Sequence, residues 1–284
     1  MAIKKMMVVG CGQMGQGIAQ VCATGGVAVY MFDVVEDAIK NGIGAINKSV
    51  VKLAQKGKIS EDAAKAIAKR LIPVSSYQDA KDVDLVIEAV IEDVEVKKKV
   101  FEELDAIMPE NVILASCTSA LPITEIMSKT KKPERTIGTH FHNPPVLMRL
   151  VEVAKGYLTS AETVKAVIDF LNSVGKTPVP CKDYPGFVSS RVGIIMVNEG
   201  INCLEQGVST AEDIDKACVA GFNWPVGPLK LADLIGLDTC LYVLEDLAEK
   251  LGSAFRPSPL LRQMVSAGHL GMKTGKGFFD YTKK

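Results

Sequence analysis

The sequence predicts an α/β fold, a doubly wound sheet followed by a smaller all-helical domain. Three observations carry that reading. Short apolar, β-rich runs alternate with helical patterns over residues 6–181, the signature of βαβ units. A glycine-rich turn at residues 10–15 follows the first of these runs. Beyond the turn-forming stretch 183–186 (DYPG) the strand-like runs stop and long helical patterns take over.

The elements follow in order. Residues 6–9 (MMVV) form a buried strand, 15–24 a helix, and 27–32 the next strand, closed by Asp33. Ile39, Ile43, Ile46, Val50 and Leu53 recur at steps of four and three. That spacing is one apolar stripe on a long helix, which Gly57 ends. Ser60, followed by Glu61 and Asp62, starts another helix. Residues 84–89 (DLVIEA) read as a strand, 94–108 as a helix and 112–115 as a strand. Strands at 136–140 and 147–153 flank Asn143-Pro144-Pro145, and a helix at 162–173 leads to a last strand at 177–181. These elements make a first domain, 1–184. In the second, 185–284, residues 187–206 read as one helix ended by Gly207. Ser209 with Glu212 has the spacing of a capping box for the next.

Composition narrows the function. Hydrophobic residues are 48% and charged residues 23% of the 284, which is ordinary globular material with enough interior for two cores. The 33 Lys and Arg balance the 33 Asp and Glu. A zero net charge speaks against a nucleic-acid or membrane-surface binder, while leaving room for a local basic patch that meets a phosphorylated ligand. No run approaches the ~20 apolar residues of a membrane span. The opening MAIKK leads straight into a strand and lacks the zones of a signal peptide. The seven cysteines are odd in number, scattered and without a CxxC. Reduced thiols in a cytoplasmic protein are therefore expected.

Gly10-Cys11-Gly12-Gln13-Met14-Gly15 is a GxGxxG between a strand and a helix, and the second strand ends in Asp33, 18 residues after Gly15. This context marks a dinucleotide-binding turn of the Rossmann type. Gly10 allows the tight turn, Gly12 has no side chain to block a pyrophosphate, and Gly15 lets the helix pack close to the strand. The helix N-terminus then offers free N–H groups and its positive dipole end to the phosphates. Asp33 accepts hydrogen bonds from the adenine ribose and repels a 2′-phosphate. Val34 and Val35 supply no arginine to rescue that phosphate, so NAD is favoured over NADP.

A second constellation lies at Thr139-His140-Phe141-His142-Asn143-Pro144-Pro145, followed by Met148-Arg149-Leu150-Val151-Glu152-Val153. If residues 144–146 reverse the chain, the register sets His140 across from Glu152. A histidine held by a carboxylate is a general base with a fixed tautomer. The pair follows the last strands of a nucleotide fold, where ligands bind.

With these residues the chain resembles the short-chain L-3-hydroxyacyl-CoA dehydrogenases, most closely the bacterial 3-hydroxybutyryl-CoA dehydrogenases. The matching stretches are Gly10-x-Gly-x-Met-Gly-x-Gly-Ile-Ala19, Leu85-Val-Ile-Glu-Ala89, Ala115-Ser-x-Thr-Ser119 and His140-Phe-x-Asn-Pro144. Leu150-Val-Glu-Val153, Pro185-Gly-Phe187, Gly236-Leu-Asp238 and Lys273-Thr-Gly-Lys-Gly-Phe278 follow in the family's order. The resemblance implies His140 as catalytic base and Glu152 as the carboxylate that orients it. It implies that Ser119, 21 residues before His140, bonds the substrate oxygen and approaches the nicotinamide, and that Asn143 meets substrate and cofactor. It places Gln13, Met14, Glu92, Lys97 and Lys273 on NAD, and Ser49, Lys56 and Ser190 on the acyl-CoA substrate. It further implies NAD as cofactor and a homodimer built through the helical domain.

The residues themselves leave some of these roles open. Lys48, Lys52 and Lys56 form a basic ridge opposite the apolar stripe of their helix. Such a ridge suits coenzyme A phosphates and equally suits solvent. Lys97-Lys98-Lys99 is ambiguous in the same way. Ser119 also stands where it could cap a helix starting near Pro122, Lys273 lies in a glycine-rich turn, and Trp224 suits a pocket wall or an interface. Three residues depart from the family pattern: Cys117 and Ser190 replace the usual Asn, and His142 replaces the usual Phe. His140-x-His142 puts two imidazoles on one face of a strand, and Glu152 could complete a metal site. Hydride transfer needs no metal and no further ligand cluster appears, so none is expected. Two other activities fit the same frame: a dehydrogenase of a non-thioester β-hydroxy acid, and a non-catalytic NAD-binding homologue.

Overall fold

Lys5–Val9 (β1) buries its last four residues completely or nearly so, as a strand covered on both faces must. The computed structural model describes residues 3–282, and β1 lies inside its sheet, third from one edge. Gln13–Thr24 (α1) leads to Ala28–Phe32 (β2), then to Glu36–Gln55 (α2), Glu61–Lys69 (α3) and Leu71–Pro73 (β3). Leu85–Glu88 (β4), Val94–Ile107 (α4), Ile113–Ser116 (β5), Ile123–Ile126 (α5), Thr136–Phe141 (β6), Leu150–Lys155 (β7), Ala161–Ser173 (α6) and Thr177–Lys182 (β8) complete the first unit.

Local chemistry accounts for the helices that frame the site. α2 carries Glu36 and Asp37 in its first turn and Lys52 in its last, both favourable to its dipole. It buries Ile39, Gly42, Ile46 and Val50, and the chain leaves it through Gly57 at φ +68°. Ser60 caps α3 by accepting from the Ala63 amide at 3.1 Å. Asp93 caps α4 in the same way at the Val96 amide, 2.9 Å.

Among the described residues the strands form one sheet in the order β3-β2-β1-β4-β5-β6-β7-β8. From β3 to β6 every neighbouring pair is parallel; β7 runs antiparallel to β6, and β8 parallel to β7. The carboxyl ends of β1, β4, β5 and β6 therefore share one edge, joined there by the start of β7. The chain leaves β1 for β2 on one side and returns as β4 on the other, which opens a crevice at that edge. Met6, Val8, Ile18, Met31, Leu85, Ile87 and Ile113 lie in the core beneath it.

The chain divides between Tyr184 and Pro185 into two compact units. The second unit holds Ser189–Glu205 (α7), Ala211–Phe222 (α8), Pro228–Ile235 (α9), Leu237–Leu251 (α10) and Pro259–Ser266 (α11). Its own core includes Ile194, Val197, Leu229, Leu237, Leu244 and Leu247. Asp215 caps α9, accepting from the Leu229 and Lys230 amides at 2.8 and 2.9 Å. Among the described residues no helix is long and apolar enough to cross a membrane.

Several strand and helix ends move by one residue from the sequence expectation, and four differences have a clear cause. α1 starts at Gln13, so Gln13 and Met14 are its first turn. α7 starts at Ser189, because Phe187 sits at φ +45° outside the helical region. β7 begins at Leu150, since residues 144–148 are spent on a turn in which the Leu147 and Met148 amides both donate to the Pro144 carbonyl. The cap of α8 is Thr210, which accepts from the Asp213 amide at 3.2 Å, one residue later than the expected Ser209. β3 was not anticipated: three residues ending in proline are too short to show a period.

Candidate active site

The first part of the site is made by backbone. Gly10 has φ +96°, and a Cβ there would stand 2.6 Å from the Ala89 carbonyl oxygen. A side chain is excluded by both conformation and space. At Gly15 a Cβ would run into the Gly10 carbonyl and crowd Val8 of β1, so this glycine sets how closely α1 approaches the turn. Gly12 is different: a Cβ there meets nothing within 4 Å. Its bareness serves no packing purpose inside the protein and leaves a cradle open above the N-terminus of α1. The cradle opens on a cleft of about 590 Å³ lined by Gly10, Gly12, Asp33, Val34, Val90 and Ile91, among others.

Asp33 is braced by two backbone amides. Its Oδ2 accepts from Cys11 at 2.7 Å and its Oδ1 from Val35 at 2.9 Å. Each oxygen keeps a second lone pair for a diol. Val34, 89% exposed, leaves the position beside it without a cation.

The second part is made by buried charge. Lys97 and Glu88 are both 0% exposed, 2.6 Å apart. Lys97 Nζ also donates to the Cys117 carbonyl at 3.0 Å and lies 3.6 Å from Glu92. The Ser116 hydroxyl and the Val90 amide donate to Glu88 at 2.8 and 2.7 Å. Burial pushes the Glu88 carboxyl up against the opposing pull of Lys97, Ser116 and the Val90 amide. Glu92 in turn accepts from the Thr118 hydroxyl at 2.6 Å and the Ser119 amide at 2.8 Å.

This network decides between the readings of the lysine triplet. Lys97 is enclosed, Lys98 pairs with Glu95 and Glu125 at 2.7 Å each, and Lys99 is exposed. In this conformation Lys97 holds Glu92 and the 117–119 segment rather than extending as an arm. Ser119 caps no helix. Thr118 Oγ1 takes the Leu121 amide at 2.9 Å, and Asp183 takes the Ile123 and Thr124 amides at 2.9 and 2.7 Å. Ser119 is left exposed past the carboxyl end of β5. Burial pushes the Cys117 thiol up to about 12, so it is not a nucleophile at neutral pH.

The third part comes from the β6–β7 pair. His140 stands opposite Glu152 in the register, and its Nδ1 lies 2.7 Å from Glu152 Oε2. His140 is 6% and Glu152 0% exposed. The His142 ring leans on His140 with centroids 4.3 Å apart and planes 36° apart. Burial, then the neighbouring His140, holds the His142 imidazole below the usual range. Asn143 Oδ1 accepts from Gln13 Nε2 at 3.2 Å, tying the turn to the first turn of α1. That turn is fastened twice more. Gly17 leaves room for Pro145 against α1, and the buried Lys176 donates to the Pro145 and Met148 carbonyls.

The remaining expected residues are dispersed. Ser49 accepts from Gln20 Nε2 at 2.9 Å, facing α1. Lys48, Lys52 and Lys56 are all exposed along α2 and its C-cap. Ser190, in the second unit, is half-buried in the first turn of α7. Lys273 is held by Asp238, with Nζ 2.5 and 2.6 Å from the two carboxylate oxygens, and so is more than part of a turn. Trp224 packs on Phe222 with ring centroids 5.2 Å apart. Sequence reasoning missed Glu88, Asp183 and Lys176. A lone carboxylate inside the apolar run LVIE was a signal for the first; the other two depend on contacts remote in sequence.

Fold and site define the class: an NAD-dependent dehydrogenase on a doubly wound sheet with an appended helical unit. The chain belongs to the 3-hydroxyacyl-CoA dehydrogenase family. The models of that family's NAD binding domain and C-terminal domain match residues 5–184 and 186–281. It is 48% identical to a probable 3-hydroxybutyryl-CoA dehydrogenase of Bacillus subtilis, covering 100% of this chain and 99% of that one. It is 43% identical to the 3-hydroxybutyryl-CoA dehydrogenase of Clostridioides difficile, covering 98% and 100%. The crystal structure of (S)-3-hydroxybutyryl-CoA dehydrogenase from Ralstonia eutropha superposes with a TM-score of 0.95 at 41% identity, covering 99% and 100%.

Proposed function

We propose that the protein interconverts short L-3-hydroxyacyl-CoA thioesters, 3-hydroxybutyryl-CoA foremost, and their 3-keto forms. The observation that carries this reading is the buried His140–Glu152 pair, 2.7 Å apart, at the sheet edge that also carries the dinucleotide turn. NAD fits that turn: Gly12 leaves the cradle clear, Gln13, Met14 and Gly15 open α1 beneath it, and Asp33 suits the ribose diol. When bound, NAD supplies the hydride acceptor. Glu92, Ser119, Asn143 and Lys273 are the further candidates to hold it, and Lys97 serves from behind by fixing Glu92.

His140 has its Nδ1 committed to Glu152, so the proton of the 3-hydroxyl passes to Nε2. Glu152 stabilises the imidazolium that results and keeps the ring in one tautomer. In reduction the same nitrogen returns the proton. Ser119 and Asn143 hold the reacting oxygen, and Ser190 the acyl group. Ser49 and Lys56, with the lysine ridge of α2, meet the coenzyme A moiety. A cytoplasmic homodimer completes the reading.

The test is NADH formation from NAD on adding L-3-hydroxybutyryl-CoA, with free 3-hydroxybutyrate and NADP in parallel. Turnover of the thioester with NAD supports the proposal. Turnover of the free acid alone supports a non-thioester dehydrogenase, and NAD binding without turnover of either supports a non-catalytic homologue.

A further inference from the structure

We propose that His140, His142 and Glu152 form a binding site for a divalent transition-metal ion, zinc foremost, and that its occupation silences the dehydrogenase. His140 and His142 are two residues apart at the end of β6, so they emerge on the same side of the strand. Glu152 reaches the same point from β7, as the register partner of His140. One ligand atom from each residue lies within 4.8 Å of the other two. A tetrahedral zinc with bonds of about 2.0–2.2 Å spaces its ligand atoms about 3.4 Å apart. The widest spacing must close by up to ~1.4 Å and the 2.7 Å His140–Glu152 contact must open, both by side-chain rotation.

The donor set selects the ion. Two imidazoles and one carboxylate suit zinc, cobalt, nickel or ferrous iron, whereas magnesium and calcium ask for oxygen alone. Three protein ligands leave a fourth position for water. The hydride reaction balances without a metal, because His140 carries the proton and the nicotinamide the hydride. A metal on the His140 Nδ1 that faces Glu152 displaces the proton there, so the ring keeps its N–H on Nε2 and has no lone pair for the substrate proton. His142 makes the difference: the phenylalanine of the resembled family has no lone pair to give. The inhibitory clause rests on His140 being the base; metal binding does not.

The full chain, freed of metal with a chelator, is titrated with zinc by calorimetry and with cobalt by its visible absorption. The chain has three histidines, His140, His142 and His269, so ring resonances report the site directly. The expected result is one metal per chain, with the His140 and His142 signals shifted and those of His269 unmoved. One equivalent of zinc should lower turnover at least ~10-fold, with recovery on adding chelator. H142F should bind metal at least ~10-fold more weakly, and its remaining turnover should no longer respond to one equivalent of zinc. H142N is the second variant should H142F fail to fold. No stoichiometric binding, zinc shifts confined to His269, or undiminished affinity in the folded variant would overturn the site. Full turnover with the metal bound would overturn the inhibition. The binding readouts need no substrate, so failure here is separable from failure of the proposed activity.

Discussion

The two halves of the site lie on one sheet edge and are built by opposite means. The dinucleotide half, residues 10–33, is shaped by side chains that are missing: Gly10 and Gly15 because protein fills the space, Gly12 because protein does not. The reacting half is shaped by side chains that are buried and charged: Glu88 with Lys97, His140 with Glu152, and Lys176 on the 144–148 turn. The first half depends on the space around the glycine turn. The second depends on buried polar partners, and removing either member of the Glu88–Lys97 pair strands a charge. Breaking such a buried pair costs about 3–5 kcal/mol, whereas an exposed one costs under about 1 kcal/mol.

The sharpest way to separate the halves is H140Q. Turnover should fall ~10³–10⁴-fold while NADH affinity stays within about twofold, read by steady-state kinetics and fluorescence titration. Full turnover in the folded variant would unite the halves in a way the account does not allow. E152Q should follow with a loss of about 10²–10³-fold and an altered pH profile, since the ring loses its anionic partner. An unchanged pH profile would remove Glu152 from the proton chemistry.

The glycines break the comparison inside the first half. G10A should lower stability by about 2–3 kcal/mol in thermal melts, because it combines strained backbone with a clash against Ala89. G12A should leave the melting temperature alone and weaken NADH by ~10-fold, if the open space at Gly12 is the pyrophosphate's. Equal effects of the two would contradict the cradle. D33S should narrow the preference for NADH over NADPH by about 10–100-fold, the worth of a charged hydrogen bond plus the lost repulsion.

The smallest effect belongs to the exposed pair Lys273–Asp238. Burial pushes the Asp238 carboxyl up, but hydrogen bonds from Lys273 and the Thr239 amide outweigh it and hold it below its usual range. A carboxyl lowered by folding stabilises above its unfolded value and loses that contribution as pH falls through its folded one. K273M should therefore cost under about 1 kcal/mol at pH 7, and the difference should vanish on acidification below about pH 4. A constant difference down to pH 2 would locate the effect in packing instead.

The same contrast explains what was legible in the sequence. Gly10, Gly15 and Asp33 fall at fixed spacings within one βαβ unit, so spacing alone reveals them. His140 and Glu152 were legible because one short turn sets their register. Lys97 was not: it sits between identical Lys neighbours, and only the burial of Glu88 separates it from Lys98 and Lys99. The clamp of Lys176 on the 144–148 turn joins residues about 30 apart in sequence through α6, and no local pattern encodes it. At the cap of α8, Ser209 and Thr210 are chemically near-equivalent, and the chain's path chose the second.

The central claim is that both halves serve one NAD-dependent reaction on a coenzyme A thioester. The most direct measurement is the loss of NADH absorbance on adding acetoacetyl-CoA to the purified protein, with NADPH and free acetoacetate in parallel. Rapid loss is expected with NADH and the thioester together, and little with either control. NADH that binds but is not consumed in the presence of acetoacetyl-CoA would contradict it.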